Sequence, residues 1–215
     1  MQEQVTINPG TSPEFHPFEP FLPTGAGILM LGSFPPQPRR WSIDFYYPNF
    51  NNDFWRILGI IFFADKEHFI LPGEKKFDKR RIVDFCTGRG IAMYDTACKV
   101  VRLKDNASDK FLQVVEATDI DALLESIPQC RAIAATGQKA AELLAGHFHC
   151  NQPPLGRSVL VQSAEWKLNF YRMPSTSRAY PLSLDEKAEA YRRMFAMLSP
   201  PLTRFGHNLP IQSIA

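Results

Sequence analysis

Two loops of the chain gather residue types that can hold a flat, polar-edged ligand and act on it. The first comes after the apolar run Ile28-Leu29-Met30-Leu31 and reads Gly32-Ser33-Phe34-Pro35-Pro36. The second reads Phe45-Tyr46-Tyr47-Pro48-Asn49-Phe50-Asn51-Asn52-Asp53-Phe54-Trp55. Aromatic rings offer faces on which a nucleobase stacks, and asparagine amides, each donor and acceptor at once, can read its edge or orient a water. Gly32 lets the backbone turn sharply after the strand, and Pro35 and Pro36 stiffen the loop beyond it. Asn51 and Asn52 can equally cap the helix that begins near Trp55, because asparagine bonds nearby backbone amides. Asn49 has no capping duty in this pattern and is the stronger candidate for chemistry. A third group, Met173-Pro174-Ser175-Thr176-Ser177-Arg178, leaves a strand through hydroxyl-bearing residues with a cation behind them. That combination can grip a phosphate, and it is also a common way for a strand to end. Asp95 closes a short strand with no cation beside it in sequence, so its carboxylate either faces the same crevice or bonds a loop backbone.

The elements that must position these residues are legible from periodicity. Residues 28–32 read as a buried strand. A helix over about 52–63 places Trp55, Leu58 and Phe62 on one face. The charged run Lys75 to Arg81 reads as a solvated face that can also help steer DNA. It leads into an amphipathic turn with Ile82, Val83 and Phe85, for which Gly88 is the expected cap. Ile91 to Asp95 is a second strand. Thr118-Asp119-Ile120-Asp121 opens a helix in capping-box fashion, with Ile120, Leu123, Leu124 and Ile127 inward. Ala132 to Ala135 is a strand ending at Thr136-Gly137, and Gln138 to His147 a helix. Ser158 to Gln162 and Leu168 to Met173 form two further strands that can pair as a hairpin. Ser183 caps the last helix with Glu186 three residues on, and its inner stripe is Leu184, Ala188, Tyr191, Phe195 and Leu198.

Strands alternating with helices predict an α/β fold, a three-layer α/β/α sandwich around a central, mostly parallel sheet. At the carboxyl ends of such strands open sheets bind their ligands. Residues 1–23 read as a proline-punctuated arm, pinned to the body by Phe15, Phe18 and Phe21. Residues 24–198 form one domain and 199–215 a tail. With 215 residues, 45% of them hydrophobic, the chain can bury a full core.

Composition narrows the functional classes. A formal net charge of +2 asks any nucleic-acid partner to find a local basic face. Cys86, Cys98, Cys130 and Cys150 match no zinc or iron–sulfur spacing and read as buried thiols of a reducing compartment. His147 and His149, at a helix end, suit the dipole rather than a metal. No metal and no cofactor are called for. The amino terminus has no signal-peptide pattern and no apolar run approaches membrane-spanning length, which predicts a cytoplasmic protein, expected to be a monomer.

In this order the motifs resemble the uracil-DNA glycosylase superfamily, and most of all its hypoxanthine (deoxyinosine) branch. That branch has a strand ending in Gly-Ser-Phe-Pro, here Gly32 to Pro35. A Tyr-Tyr loop then carries Asn-Pro-Arg-Asn before Phe-Trp, here Tyr46 to Trp55. An Ala-Leu-Trp-Asp strand corresponds to Ala92-Met93-Tyr94-Asp95, and Pro-Ser-Thr-Ser to Pro174 through Ser177. The likeness spans about residues 16–198. Better-known branches have Asp or Asn where Phe34 stands, whereas the hypoxanthine branch shares the Phe. The middle motif keeps its asparagines, Asn49 and Asn52, but loses Pro and Arg, and Arg178-Ala179-Tyr180 replaces Pro-Ala-Asn. Ile7-Asn8-Pro9-Gly10 looks like a glycosylase motif as well, yet no buried strand precedes it, and it reads as a turn.

The resemblance implies a monofunctional DNA glycosylase acting on DNA that contains a damaged base, in base excision repair. It would flip out uracil or hypoxanthine and hydrolyse the N-glycosidic bond. Asn49 and Asp95 become the catalytic candidates. Gly32, Ser33, Phe34, Phe45, Tyr46, Tyr47 and Asn52 form the expected base pocket, with Phe45 or Tyr46 as stacking partner. Ser175, Thr176, Ser177 and Arg178 become the contacts to phosphate or groove. Two other readings share the fold: a binding module that recognises damaged DNA without cutting it, and a nucleotide hydrolase, for which the chain offers neither a Walker loop nor a GxGxxG.

Overall fold

The computed structural model describes residues 12–103 and 111–198. The turn at residues 7–10 and the tail over 199–215 lie outside them. Along the chain run β1 (Glu14–Phe15), β2 (Ile28–Gly32), α1 (Phe54–Phe63), α2 (Lys79–Arg89), β3 (Ile91–Asp95), β4 (Ala97–Arg102), β5 (Leu112–Ala117), α3 (Ile120–Ser126), β6 (Ala132–Ala135), α4 (Gln138–His147), β7 (Arg157–Gln162), β8 (Lys167–Arg172) and α5 (Leu184–Met197). The main sheet has the order β3-β2-β6-β8-β7, parallel except for the β7–β8 hairpin at its edge. This is the α/β fold with a mostly parallel central sheet that the alternation of elements predicts.

The central strands are apolar on both faces because both faces are covered. Ile28 through Leu31 and Ala132 through Ala135 are fully buried, the pattern of a parallel sheet packed on two sides. Removing each large aliphatic side chain from water contributes about 1.5–3 kcal/mol, so β2 and its neighbours anchor the molecule. The parallel strands also pair without slippage: Gly32 stands opposite Asp95, Leu31 opposite Ala135, and Ala135 opposite Arg172. Their carboxyl ends are therefore level, and the loops that leave them emerge at one rim.

Several local expectations need correction. Gly88 lies inside α2, and the cap is Gly90, whose φ of 63° is left-handed. A Cβ at Gly90 would also meet the Gly25 carbonyl oxygen at 3.0 Å. Asp119, not a Thr118 capping box, caps α3 by accepting the Ala122 amide. The Thr118 hydroxyl donates instead to the Asp95 carbonyl at 2.7 Å. The Phe15 side chain is 71% exposed and meets Lys99 rather than the core, whereas Phe18 and Phe21 pack against the core.

A second sheet, β1-β4-β5, has no counterpart among the elements expected from periodicity. Its register shifts around Cys98 break the period-two alternation that reveals a strand. Through it the amino-terminal segment becomes part of the body. Glu14 pairs with Val100 and Phe15 with Lys99, and Phe21 exchanges two backbone hydrogen bonds with Met93 at 3.0 and 2.9 Å. No helix among the described residues is long and apolar enough to cross a membrane.

α1 and α5 are joined by a buried ion pair. Lys187, on α5 and 1% exposed, donates from Nζ to Asp53 Oδ2 at 2.9 Å and to the Ser177 carbonyl at 2.8 Å. Breaking such a pair strands a charge in low dielectric. Lys187→Met should lower the unfolding free energy by about 3 kcal/mol, and Asp53→Asn should return part of that loss in the double variant, as read from urea denaturation.

Candidate functional site

All four parallel strands deliver their succeeding residues to one cleft of about 680 Å³. Gly32, Ser33 and Phe34 come from the end of β2, and Asp95 is the last residue of β3. Thr136, Gly137 and Gln138 come after β6, and Ser175 through Arg178 after β8. The loop between β2 and α1 adds Tyr46, Tyr47, Asn49, Asn51 and Asn52. Four segments far apart in sequence thus meet around a space large enough for a nucleobase.

The aromatic loop is held rigid by its own bonds. Trp41 Nε1 donates to the Pro36 carbonyl at 2.6 Å, and Ser42 donates to the Pro48 carbonyl through its amide and its hydroxyl. Tyr47 has a φ of 50°, unfavourable for a bulky side chain by about 1 kcal/mol or more. Two contacts hold it there. Its ring lies on Phe54 at 3.7 Å between centroids, tilted by 13°. Its phenol stands 2.8 Å from Thr136 Oγ1. Thr136 Oγ1 in turn donates to the Leu31 carbonyl, so the tyrosine is the donor of the pair. Tyr46 is 2% exposed and donates to the Glu19 carbonyl at 2.7 Å, while Trp55 Nε1 donates to the Tyr46 carbonyl.

Asn49 and Asn52 each use their side-chain carbonyl locally. Asn49 Oδ1 accepts the Asn51 amide and Asn52 Oδ1 the Phe54 amide, both at 2.9 Å. Asn52 therefore serves the start of α1, as an asparagine before a helix commonly does. Asn49 lines the cleft with its amide plane fixed, its NH₂ group on the side away from the Asn51 bond.

The serine-bearing loop is zipped to the aromatic loop. The Asp53 amide donates to the Thr176 carbonyl at 2.9 Å, and Asn52 pairs with Ser177 as an isolated bridge. Ser175 Oγ accepts the Ser177 amide and Ser177 Oγ the Ala179 amide, each at 3.3 Å. Arg178 reaches across to Asp53 Oδ1 and Asn51 Oδ1, both at 3.3 Å, with half of its side chain still exposed. Asp53 thus faces two cations, the buried Lys187 and the half-exposed Arg178.

Two of the expected site residues are placed differently. Phe45 does not line the cleft. It is 8% exposed and ringed by Phe21, Tyr46 and Trp55, so no base can stack on it. Thr176 borders the cleft but is 2% exposed, which leaves a phosphate no open approach to its side chain. Period-two reasoning does not resolve which ring of Phe45-Tyr46-Tyr47 points inward, because this segment is a loop rather than a strand. Other contributors escaped the sequence pattern altogether. Arg40, Thr136, Gln138 and Tyr180 line the cleft. His16 bonds Asp95 from the amino-terminal segment, Nε2 to Oδ2 at 3.0 Å. The strand exit at Thr136-Gly137 was the available signal for Thr136 and Gln138; nothing in the sequence marks His16.

Gly32 makes room for this carboxylate, because a Cβ there would overlap Asp95 Oδ1. Burial is also what raises the phenols of Tyr46 and Tyr47 above the usual tyrosine range, the Asp95 charge adding to it.

No family model matches the chain, and no curated protein matches it either. Among solved structures it is similar to a solution NMR structure from Methanosarcina acetivorans, named provisionally as a uracil DNA glycosylase. The two share 21% sequence identity at a TM-score of 0.55, covering 82% of this chain and 95% of that one. The two chains share a fold. The cleft lies at the rim where that fold presents its strand ends.

Tyrosine burial carries a consequence for alkaline stability. Tyr94 is pushed up to about 12, by burial first and then by Cys98 and Asp95, and Tyr46 and Tyr47 are raised further. The unfolded chain ionises its tyrosines first, near the ordinary value of 10.0. The stabilisation is therefore complete below that pH and is lost as pH climbs through the folded values. Near-UV absorbance should show these tyrosines titrating together with alkaline unfolding, not before it.

Proposed function

We propose that the protein is a DNA glycosylase that excises a deaminated base, uracil or hypoxanthine, by hydrolysis of its N-glycosidic bond. The observation that carries this reading is the meeting of Asn49, Asp95 and the Ser175–Arg178 loop around a cleft of nucleobase size at the level carboxyl ends of the parallel strands. The shared fold with a protein named as a uracil DNA glycosylase and the motifs of the hypoxanthine branch support it.

In this mechanism the damaged nucleotide leaves the stack and enters the cleft, at a cost of a few kcal/mol. Exposed Ser177 and Arg178, with half-buried Ser175, hold the strand at the rim and offset that cost. The base lies against Phe34 and Tyr47, while Tyr46, 2% exposed, borders the cleft without an open face to stack on. Asn49, its amide plane fixed, orients the attacking water. Asp95 bonds the base edge or stabilises the positive charge that develops on the sugar as the bond lengthens. The electron pair of the C1′–N bond leaves with the base, and water supplies the hydroxyl at C1′. Phe34 serves as wall, since a phenyl ring cannot polarise water.

DNA strands that each hold one damaged base, incubated with excess protein and then treated with alkali, test the reading. Cleavage at uracil or hypoxanthine supports it. Specific binding without abasic product favours the binding module, and turnover of free nucleotides with little salt-dependent DNA affinity favours the nucleotide hydrolase. Asn49→Ala should slow single-turnover excision by about 10²-fold, the scale of losing a positioned catalytic group, while the loss of its one bond to the Asn51 amide lowers the thermal midpoint by only a few degrees.

A further inference from the structure

Behind the cleft, Asp95 is held by a residue that does not line it. His16 comes from the amino-terminal segment, and its side chain is 2% exposed. The segment is fixed on both sides of it. The His16 amide donates to the Cys98 carbonyl at 2.8 Å, and Phe21 pairs with Met93. The imidazole sits among the rings of Phe18, Phe34, Tyr46 and Tyr94, with centroids 4.5–6.2 Å away. An ionised Asp95 can only accept, so Nε2 carries the proton of the 3.0 Å bond. On the far side, Nδ1 meets the Phe18 amide at 3.2 Å and the Phe18 carbonyl at 2.8 Å. Whether Nδ1 accepts from the first or donates to the second, Nε2–H stays aimed at Asp95.

We propose that His16 is a positioning residue of this site, one that fixes the plane of the Asp95 carboxylate and so sets the contact Asp95 makes with a bound base. The proposal rests on the base-excision reading. A carboxylate turns in a broad torsional well. Here Oδ2 is fixed by His16, while the missing side chain at Gly32 leaves space for Oδ1. Both devices act on one carboxylate, and both matter only if its orientation does. Stability alone does not account for the pair, because burying a polar pair is often no better than filling the same space with apolar side chains. The aromatic enclosure excludes water and so strengthens the bond.

The test is single-turnover excision at saturating DNA by the full chain, with strands bearing uracil or hypoxanthine. His16→Phe keeps the ring and removes the donor, and His16→Gln keeps a donor near the Nε2 position. Each is made alone and together with Asp95→Asn. His16→Phe should slow excision by about tenfold or more, the scale of a misplaced reacting group, while the DNA dissociation constant changes little. His16→Gln should recover much of the rate. In the Asp95→Asn background His16→Phe should cause no further loss, because it acts through Asp95. Should His16→Phe fail to fold, His16→Leu, which also lacks the donor, takes its place: a loss confined to the Asp95 background supports the role, and an equal loss in both backgrounds overturns it. Full activity in folded His16→Phe overturns the role of His16 while leaving the glycosylase reading intact. A wild-type chain that excises neither base overturns both.

Discussion

The site depends on the buried pair of Asp53 and Lys187. Neither charge can be left alone in the interior, so each dictates where the other lies. Asp53 directly precedes α1 and Lys187 sits in the first turn of α5, and the same ammonium also bonds the Ser177 carbonyl. One side chain thereby ties two helices and the serine-bearing loop together. A buried ion pair contributes little net stability compared with apolar packing of the same volume. It contributes here a fixed distance between the aromatic loop and the serine loop, the two halves of the cleft. Arg178 then binds the other oxygen of Asp53 and stays half-exposed at the rim.

The sheet supplies the other coordinate. Because β3, β2, β6 and β8 are parallel and in register, their carboxyl ends lie level, and the residues after them share one opening. Gly32 and Asp95 face each other across the β2–β3 pair, so the carboxylate occupies space that any side chain at Gly32 would take. Thr136 links β2 to the aromatic loop by donating to Leu31 and accepting from Tyr47. The cleft is thus held by strand ends and short polar links.

The elements with strong periodicity were legible. β3 and β6 fall at the residues read from the sequence, and α4 does as well. On α5 the capping box of Ser183 and Glu186 forms, and Ala188, Tyr191, Phe195 and Leu198 are buried. Apolar spacing is a local property, and local properties survive in the chain. Where a bulge interrupts the alternation, as around Cys98, the strand was not visible. In Gly88-Arg89-Gly90 composition allows either glycine to end α2; packing of Gly90 against Gly25 and the left-handed φ choose the second. Lys187 shows the same limit. On the helix pattern it is a charged residue, and only the partner brought up by α1 makes burial tolerable.

The sequence by itself determined the order of the main-sheet strands and the helices between them, the apolar strands that must lie inside, and the residue types gathered after them: the Gly-Ser-Phe turn, the tyrosines and asparagines, the serine-rich exit. It could do so because these arise from local pattern and side-chain chemistry. Only the tertiary structure decided which of those residues face the cleft. It turned Phe45 and Thr176 inward, left Ser177 and Arg178 at the rim, and brought His16 to Asp95 from 79 positions away. The reason is physical. A side chain's exposure and its partners are set by which segments close on it, and loop closure over such separations leaves no trace in the spacing of neighbouring residues.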